Sequence, residues 1–74
     1  MKKIEIKLKK ILIERNMQQK ELSELSGVLP NAVSAMCRQT ISVININHLE
    51  KIMTALEIDD VRKIIHVEEV DDEN

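Results

Sequence analysis

Aromatic residues are absent from this 74-residue chain, which also has only one glycine, one proline and one cysteine. Sheet-rich folds favour aromatic side chains and glycine-bearing turns, so this composition predicts an aliphatic, mostly helical core. The lone Cys37 excludes an intramolecular disulfide, and one thiol with two distant histidines excludes a zinc site. No apolar run approaches the ~18 residues of a membrane span, and the charged amino-terminal segment does not resemble a signal peptide. We therefore expect a soluble, cytoplasmic protein without a membrane partner.

The residues that are present favour one small folded domain. Hydrophobic residues make up 43% of the chain, which is too many for a disordered protein. The length excludes a multi-step enzyme with its own substrate domain. The sequence offers no nucleophile–base pair, carboxylate dyad or phosphate-cradling loop. We therefore expect a protein that is not an enzyme and that has no cofactor, metal or small-molecule ligand.

The net charge of −2 conceals a gradient along the chain. Residues 1–20 carry seven basic and two acidic side chains, whereas residues 21–74 carry four basic and eleven acidic ones. Five carboxylates fall in residues 68–74, which is typical of a solvated, flexible end. We therefore expect a domain over residues 1–67 followed by an acidic tail over residues 68–74.

Apolar spacing predicts a first helix from about residue 6 or 7 to residue 15, although residues 3–7 also alternate as a short strand would. The next polar segment, residues 18–26, predicts a second helix that ends at Gly27. Pro30 suits the first turn of a third helix. Two short helices joined by three residues have the outline of a helix-turn-helix.

Two more helices are predicted after an extended loop. Asn47 and Glu50 form an approximate capping box for the fourth helix, and Asp59 or Asp60 can cap a fifth. Residues 65–70 alternate like a short strand that can pair with residues 3–7. The core residues expected to join the helix-turn-helix to the fourth helix are Leu22, Val33, Met36, Leu49, Ile52 and Leu56.

Three segments resemble the Cro/CI-type (XRE) helix-turn-helix DNA-binding domains, particularly their short single-domain branch. They are residues 17–28 (MQQKELSELSGV), 30–37 (PNAVSAMC) and 44–52 (ININHLEKI). Together with the predicted helices, the resemblance implies an all-α, compact, lambda-repressor-like fold of five helices. The helix-turn-helix would occupy about residues 18–38. A small two-stranded ribbon formed by the two terminal segments is an additional possibility.

The resemblance also implies DNA contacts at matching positions. Gln19 matches a glutamine that, in this family, contacts a phosphate and braces the third helix, called the recognition helix. Gln18 stands at the start of the second helix, where its backbone N–H can face a phosphate. Asn31 can pair bidentately with adenine. The expected DNA-binding residues are Gln18, Gln19, Leu29, Pro30, Asn31, Ala32, Ser34, Ala35, Arg38, Thr40 and Asn45, with Ser42 and Lys9 or Lys10 near the backbone. Gln39 replaces the glycine that commonly follows the third helix in this family.

Two function classes remain. The resemblance implies a sequence-specific transcriptional regulator, most simply a small phage-type or mobile-element repressor of a pseudo-palindromic double-stranded operator. Only Arg38 and Lys51 are basic between Val28 and Ile58, so we expect weak monomeric binding that needs a weak homodimer or another regulatory protein. The alternative is a helix-turn-helix scaffold for protein–protein contact, such as an anti-repressor or co-regulator, with weak or no DNA binding. The pI of about 5.6, the Leu29–Pro30 tip and the apolar loop over residues 41–46 favour this alternative.

Overall fold

The structure is a computed structural model that describes residues 1–71, within which it has four α-helices, one 3-10 turn and a two-stranded antiparallel sheet. The elements in chain order are β1 (Lys2–Ile6), α1 (Leu8–Glu14), α2 (Gln19–Ser26), α3 (Pro30–Arg38), α4 (Ile46–Ala55), the 3-10 turn (Val61–Lys63) and β2 (Ile65–Glu69). In this part of the chain, no helix is long and apolar enough to cross a membrane. The four helices α1 to α4 confirm the first four helices predicted from the sequence.

The predicted fifth helix is wrong. Asp60 does cap an element, since its Oδ1 accepts a hydrogen bond from the Arg62 N–H at 2.9 Å, but that element is a single 3-10 turn. The chain enters β2 at Ile65, where its backbone pairs with β1 instead of continuing a helix. The apolar spacing that suggested a helix is satisfied differently, because Ile64 is buried whereas Val61 is 47% exposed.

The two terminal segments do form the ribbon that the alternation suggested. β1 and β2 pair antiparallel with Ile6 opposite Ile65, and the Lys7 N–H donates to the Ile64 carbonyl at 2.7 Å. The segment expected to be an acidic tail begins inside this ribbon, because Glu68 and Glu69 belong to β2. The last residues of that expected tail, 72–74, lie outside the described residues.

The start of α4 lies earlier than the capping box predicted. Asn45, not Asn47, is the N-cap, and its Oδ1 accepts a hydrogen bond from the His48 N–H at 3.2 Å. The helix therefore begins at Ile46. Both asparagines precede an apolar helical run, so either satisfied the sequence rule, and the folded backbone selects the first of them.

An aliphatic core joins the helices to the ribbon. α2 packs against α3 and α4, and α1 packs against α3. The Arg15 guanidinium adds a polar link, since it donates to the Leu56 carbonyl at 2.7 Å. Leu22 is fully buried, whereas Leu25 on the same helix is 62% exposed. All six expected core residues belong to the buried set, which comprises Ile6, Leu8, Ile11, Leu12, Leu22, Val28, Val33, Met36, Cys37, Leu49, Ile52, Leu56, Ile58 and Ile64.

Candidate nucleic-acid interface

The turn between α2 and α3 is held by its own polar groups. Gly27 has a φ of 78°, the left-handed conformation that suits glycine, and its N–H donates to the Ser23 carbonyl at 2.9 Å. The Ser23 hydroxyl donates across the turn to the Val28 carbonyl at 2.6 Å. The Val28 N–H donates in turn to the Ser26 hydroxyl at 3.2 Å. These bonds fix the angle between the two helices, so they position the outer face of α3.

Helix α3 has one buried and one exposed face. Val33, Met36 and Cys37 are at most 4% exposed and pack into the core. At the other face, Leu29 is 68% exposed, and Asn31 is also exposed at the first turn of the helix. The remaining expected contact residues of α3 divide into exposed Pro30 and Arg38 and half-buried Ala32, Ser34 and Ala35. The amino-terminal half of α3 is thus presented outward on a rigid support.

The start of α2 differs from the expectation in one respect. The Gln18 N–H, expected to face a phosphate, donates to the Glu21 carboxylate at 3.0 Å. This N–H is therefore not free, and Glu21 places a negative charge beside it. Gln19 is exposed at the first position of α2, and within residues 1–71 its side chain makes no hydrogen bond to α3. The expected brace of α3 by Gln19 therefore involves no hydrogen bond among these residues.

Two more expected contact residues have structural roles in the loop after α3. The Thr40 hydroxyl donates to the Ala35 carbonyl at 3.3 Å, so it caps the end of α3. Asn45 uses its side-chain oxygen as the N-cap of α4. Both side chains are nevertheless exposed, as is Ser42. This loop therefore offers exposed polar groups, although two of them already serve neighbouring helices.

Four cations lie together beside the carboxyl end of α3. Arg38 lines one open depression with Lys7, Lys9 and Lys10, so the structure joins α3 to the basic part of α1. None of the four makes an ion pair within residues 1–71. Glu5 and Glu14 line the same depression and reduce its positive charge. The cluster places positive charge beside the end of α3, and the charge gradient of the sequence predicted only the three lysines of the amino-terminal segment.

Cys37 also lines this depression and is 4% exposed. Burial raises the pKa of its thiol, while the Lys9 charge acts in the opposite direction. A thiol with a raised pKa is a poor nucleophile, so Cys37 behaves as a small core residue. Within the described residues, no group of three His, Cys, Asp or Glu side chains is placed to hold a metal ion.

Gln39 is the residue whose role the sequence did not indicate. It follows α3 with a φ of 60°, where the family commonly has glycine. Its side-chain amide pairs with the backbone of Ile6, since its Oε1 accepts from the Ile6 N–H at 3.0 Å and its Nε2 donates to the Ile6 carbonyl. This pair ties the end of the recognition helix to β1. No local pattern could have revealed it, because the two residues lie 33 positions apart.

Comparison with known proteins agrees with this geometry. A family model described as the Cro/C1-type HTH DNA-binding domain matches residues 7–64, which is most of the chain and includes α1 to α4. No curated protein and no solved structure matches the chain significantly. The matched segment ends where β2 begins, so the ribbon lies outside the family model.

Proposed function

The chain belongs to the Cro/C1-type helix-turn-helix DNA-binding domain family, and we propose that it is a sequence-specific transcriptional regulator, a small repressor of phage or mobile-element type. The observation that carries the proposal is the rigid α2–turn–α3 unit, which presents Leu29, Pro30 and Asn31 outward while the opposite face of α3 is anchored in the core. An exposed helix of this kind fits the ~12 Å wide major groove.

Specificity would come from the outer face of α3. Asn31 can donate to and accept from an adenine edge, a contact worth ~1–3 kcal/mol of discrimination. Ser34 offers one more hydrogen bond to a base or a phosphate, and the methyl group of Ala32 or Ala35 can contact a thymine methyl. These half-buried positions reach only bases that approach the helix closely. A single copy would therefore read few base pairs.

Affinity would come from phosphate contacts around this face. Arg38, Lys9 and Lys10 make no ion pair within residues 1–71, so they can bind phosphates, and Gln19 can do so at the start of α2. The total positive charge is small, so the monomer would bind weakly. We propose a weak homodimer, completed on a pseudo-palindromic operator that places two recognition helices ~34 Å apart.

Binding to DNA selected in vitro and to the chain's own upstream region, measured by fluorescence anisotropy, tests this function. The affinity should fall with rising salt, and Arg38→Ala should reduce the slope of log K against log salt by about 0.9. Arg62→Ala is the matched control, since Arg62 lies outside the helix-turn-helix and pairs with Asp60. Asn31→Ala should relax discrimination at one base, whereas Gln19→Ala should weaken binding to all sequences alike.

The second candidate function is a protein–protein scaffold. Its support is the exposure of apolar side chains on and near α3, since Leu29, Val43 and Ile46 are 61–79% exposed. The acidic pI of about 5.6 also favours it over binding to a polyanion. Folded protein that fails to bind any selected DNA at low salt would support the scaffold and exclude the regulator.

A further inference from the structure

Among residues 1–71, the outer edge of β1 carries backbone groups without a hydrogen-bond partner. In the antiparallel ladder, the bonds to β2 are made by the odd-numbered residues of the amino-terminal strand, as the pairs at both ends of the ribbon show. The N–H and C=O groups of Lys2, Ile4 and Ile6 therefore point away from β2. The amide of Gln39 occupies those of Ile6. The groups of Lys2 and Ile4 remain on an open edge.

An apolar groove runs along this open edge. It has a volume of about 470 Å³ and lies between β1 and the loop after α3. Its apolar part is formed by Ile4 and Ile6 of β1 together with Ile41 and Ile44 of the loop, and the rest of its lining is polar, comprising Lys3, Glu5, Gln39, Ser42 and Glu68. Ile4 is 59% exposed, although its neighbour Ile6 is buried. A strand edge beside an apolar groove is the arrangement that binds an added extended strand.

The charges on β1 select the strand that fits. We propose that the groove binds β1 of a second copy of this chain, antiparallel, with Ile4 opposite Ile4 across a two-fold axis. In that register Lys3 of each copy faces Glu5 of the other, which gives two attractive pairs. The hydrogen-bonding pattern also allows the neighbouring registers, in which the two-fold axis passes through Lys3 or through Glu5. The first places the two Lys3 side chains opposite each other and the second the two Glu5 side chains, so both bring like charges together. β1 is thus complementary to itself in one register.

The free edge of β2 fits a second copy less well. A two-fold axis at Val67 would place His66 opposite Glu68 of the second copy, and a histidine attracts a carboxylate strongly only when it is protonated. That glutamate also already lies 3.4 Å from His66 of its own chain. β1 has two permanent charges of opposite sign and no ion pair to break at Lys3 or Glu5 within residues 1–71.

Gln39 limits the strength of this interface. In the proposed register Lys2 would face Ile6 of the second copy, whose backbone groups already bind Gln39. The new ladder therefore consists of the two bonds between the Ile4 residues, while each Ile4 side chain enters the apolar groove of the other copy. Such a short ladder gives a weak dimer. The inference rests on the proposed function in one respect, because two half-sites require two chains.

The association is measured without DNA, by sedimentation velocity up to about 1 mM protein, so its outcome is independent of whether the chain binds an operator. Ile4→Lys should weaken the dimer at least about tenfold, because it places two ammonium groups opposite each other. Val67→Lys is the matched control: Val67 faces Ile4 across the ribbon and is similarly exposed, at 54%, but it lies on β2. Its dimer should match the wild type. A monomeric wild type, or a loss confined to Val67→Lys, would overturn the proposal.

A charge exchange tests the register itself. Lys3→Glu and Glu5→Lys should each be monomeric alone, because each places like charges across the axis, and an equimolar mixture should form a heterodimer. Slow hydrogen exchange of the Lys7 amide shows that the ribbon persists in both variants. This amide donates to the carbonyl of Ile64, the residue immediately before β2. Failure of the mixture to associate with intact ribbons would exclude this register, whatever the result for Ile4→Lys.

Discussion

Single residues in left-handed backbone conformations connect the elements of this domain. Gly27 has no penalty there, and the Cβ that a substitution would add meets no atom within 4 Å. Gln39 adopts a similar φ of 60° with a full side chain, which is costly for a residue other than glycine. The two hydrogen bonds of its amide to Ile6 offset this cost. Gln39 thus adopts an unfavourable backbone conformation, and its side chain links the end of α3 to β1.

Substitution of Gln39 separates these two effects. Gln39→Ala should lower the free energy of unfolding by about 1–3 kcal/mol, because it removes both hydrogen bonds and keeps the backbone penalty. Gln39→Gly removes the same bonds but relieves the backbone, so it should be more stable than the alanine variant by about 1 kcal/mol. Urea denaturation at neutral pH measures both. Equal stability of Gln39→Ala and the wild type would show that the amide contributes nothing.

At the scale of elements, α2 depends on one buried side chain. Leu22→Ala should lower the free energy of unfolding by about 2–5 kcal/mol, since Leu22 is fully buried between α3 and α4. Leu25→Ala is the control on the same helix, because Leu25 is 62% exposed and its truncation removes little packing. Thermal denaturation compares the two. A similar melting temperature for both variants would contradict the packing of α2.

The helices were predictable to the extent that their signals are local. The spacing of apolar residues and the punctuation by Gly27 and Pro30 lie within a few positions, so α1 to α4 followed from the sequence alone. The fifth helix failed because a capped 3-10 turn and a helix start with the same residues, and only pairing with a distant strand decides between them. Asn47 was preferred to Asn45 because both asparagines precede the same apolar run, and the local rule does not distinguish them.

The candidate site shows the same division between local and distant information. The exposed face of α3 followed from helical periodicity, so the places of Asn31 and Arg38 in the fold were foreseeable. The assembly of Arg38 with Lys9 and Lys10 depends on how α1 packs against α3. The use of the Gln18 N–H by Glu21 depends on a rotamer. Residue spacing does not carry the first kind of information, whereas the position of Glu21 three residues after Gln18 is a capping-box spacing that the sequence already offered.

At the scale of the whole molecule, ion pairs in the ribbon and at the start of the 3-10 turn make stability depend on pH. Two positive groups lower the pKa of Glu69, and Lys2 has a larger effect than the amino group of Met1. The nitrogen of each group lies 2.6 Å from the Glu69 carboxylate. Arg62, through its side chain and then its N–H, lowers the pKa of Asp60. A carboxylate whose pKa is lowered in the folded state stabilises the fold when the pH is above the ordinary pKa of that group. This contribution is lost as the pH falls through the folded-state pKa.

We therefore expect the melting temperature to fall as the pH drops below about 4.5, the ordinary pKa of glutamate. Glu69→Gln should flatten part of this decline, because an amide cannot titrate. The effect should be small and reduced further by salt, since Glu69 is exposed. Glu50→Gln is the control, because Glu50 makes no ion pair within residues 1–71. Identical pH profiles for Glu69→Gln and Glu50→Gln would rule out the ribbon ion pair as a source.

The ribbon also shapes how the chain reaches its folded state. Its paired residues lie 59 to 67 positions apart, whereas the turn of the helix-turn-helix joins residues that are close neighbours in the chain. Closing so long a loop has an entropic cost that is recovered only after the intervening helices have condensed. The rate-limiting barrier should therefore be crossed with α2 and α3 docked and the strands still apart. Changes in β1 or β2 would then act mainly on the unfolding rate and leave the folding rate nearly unchanged.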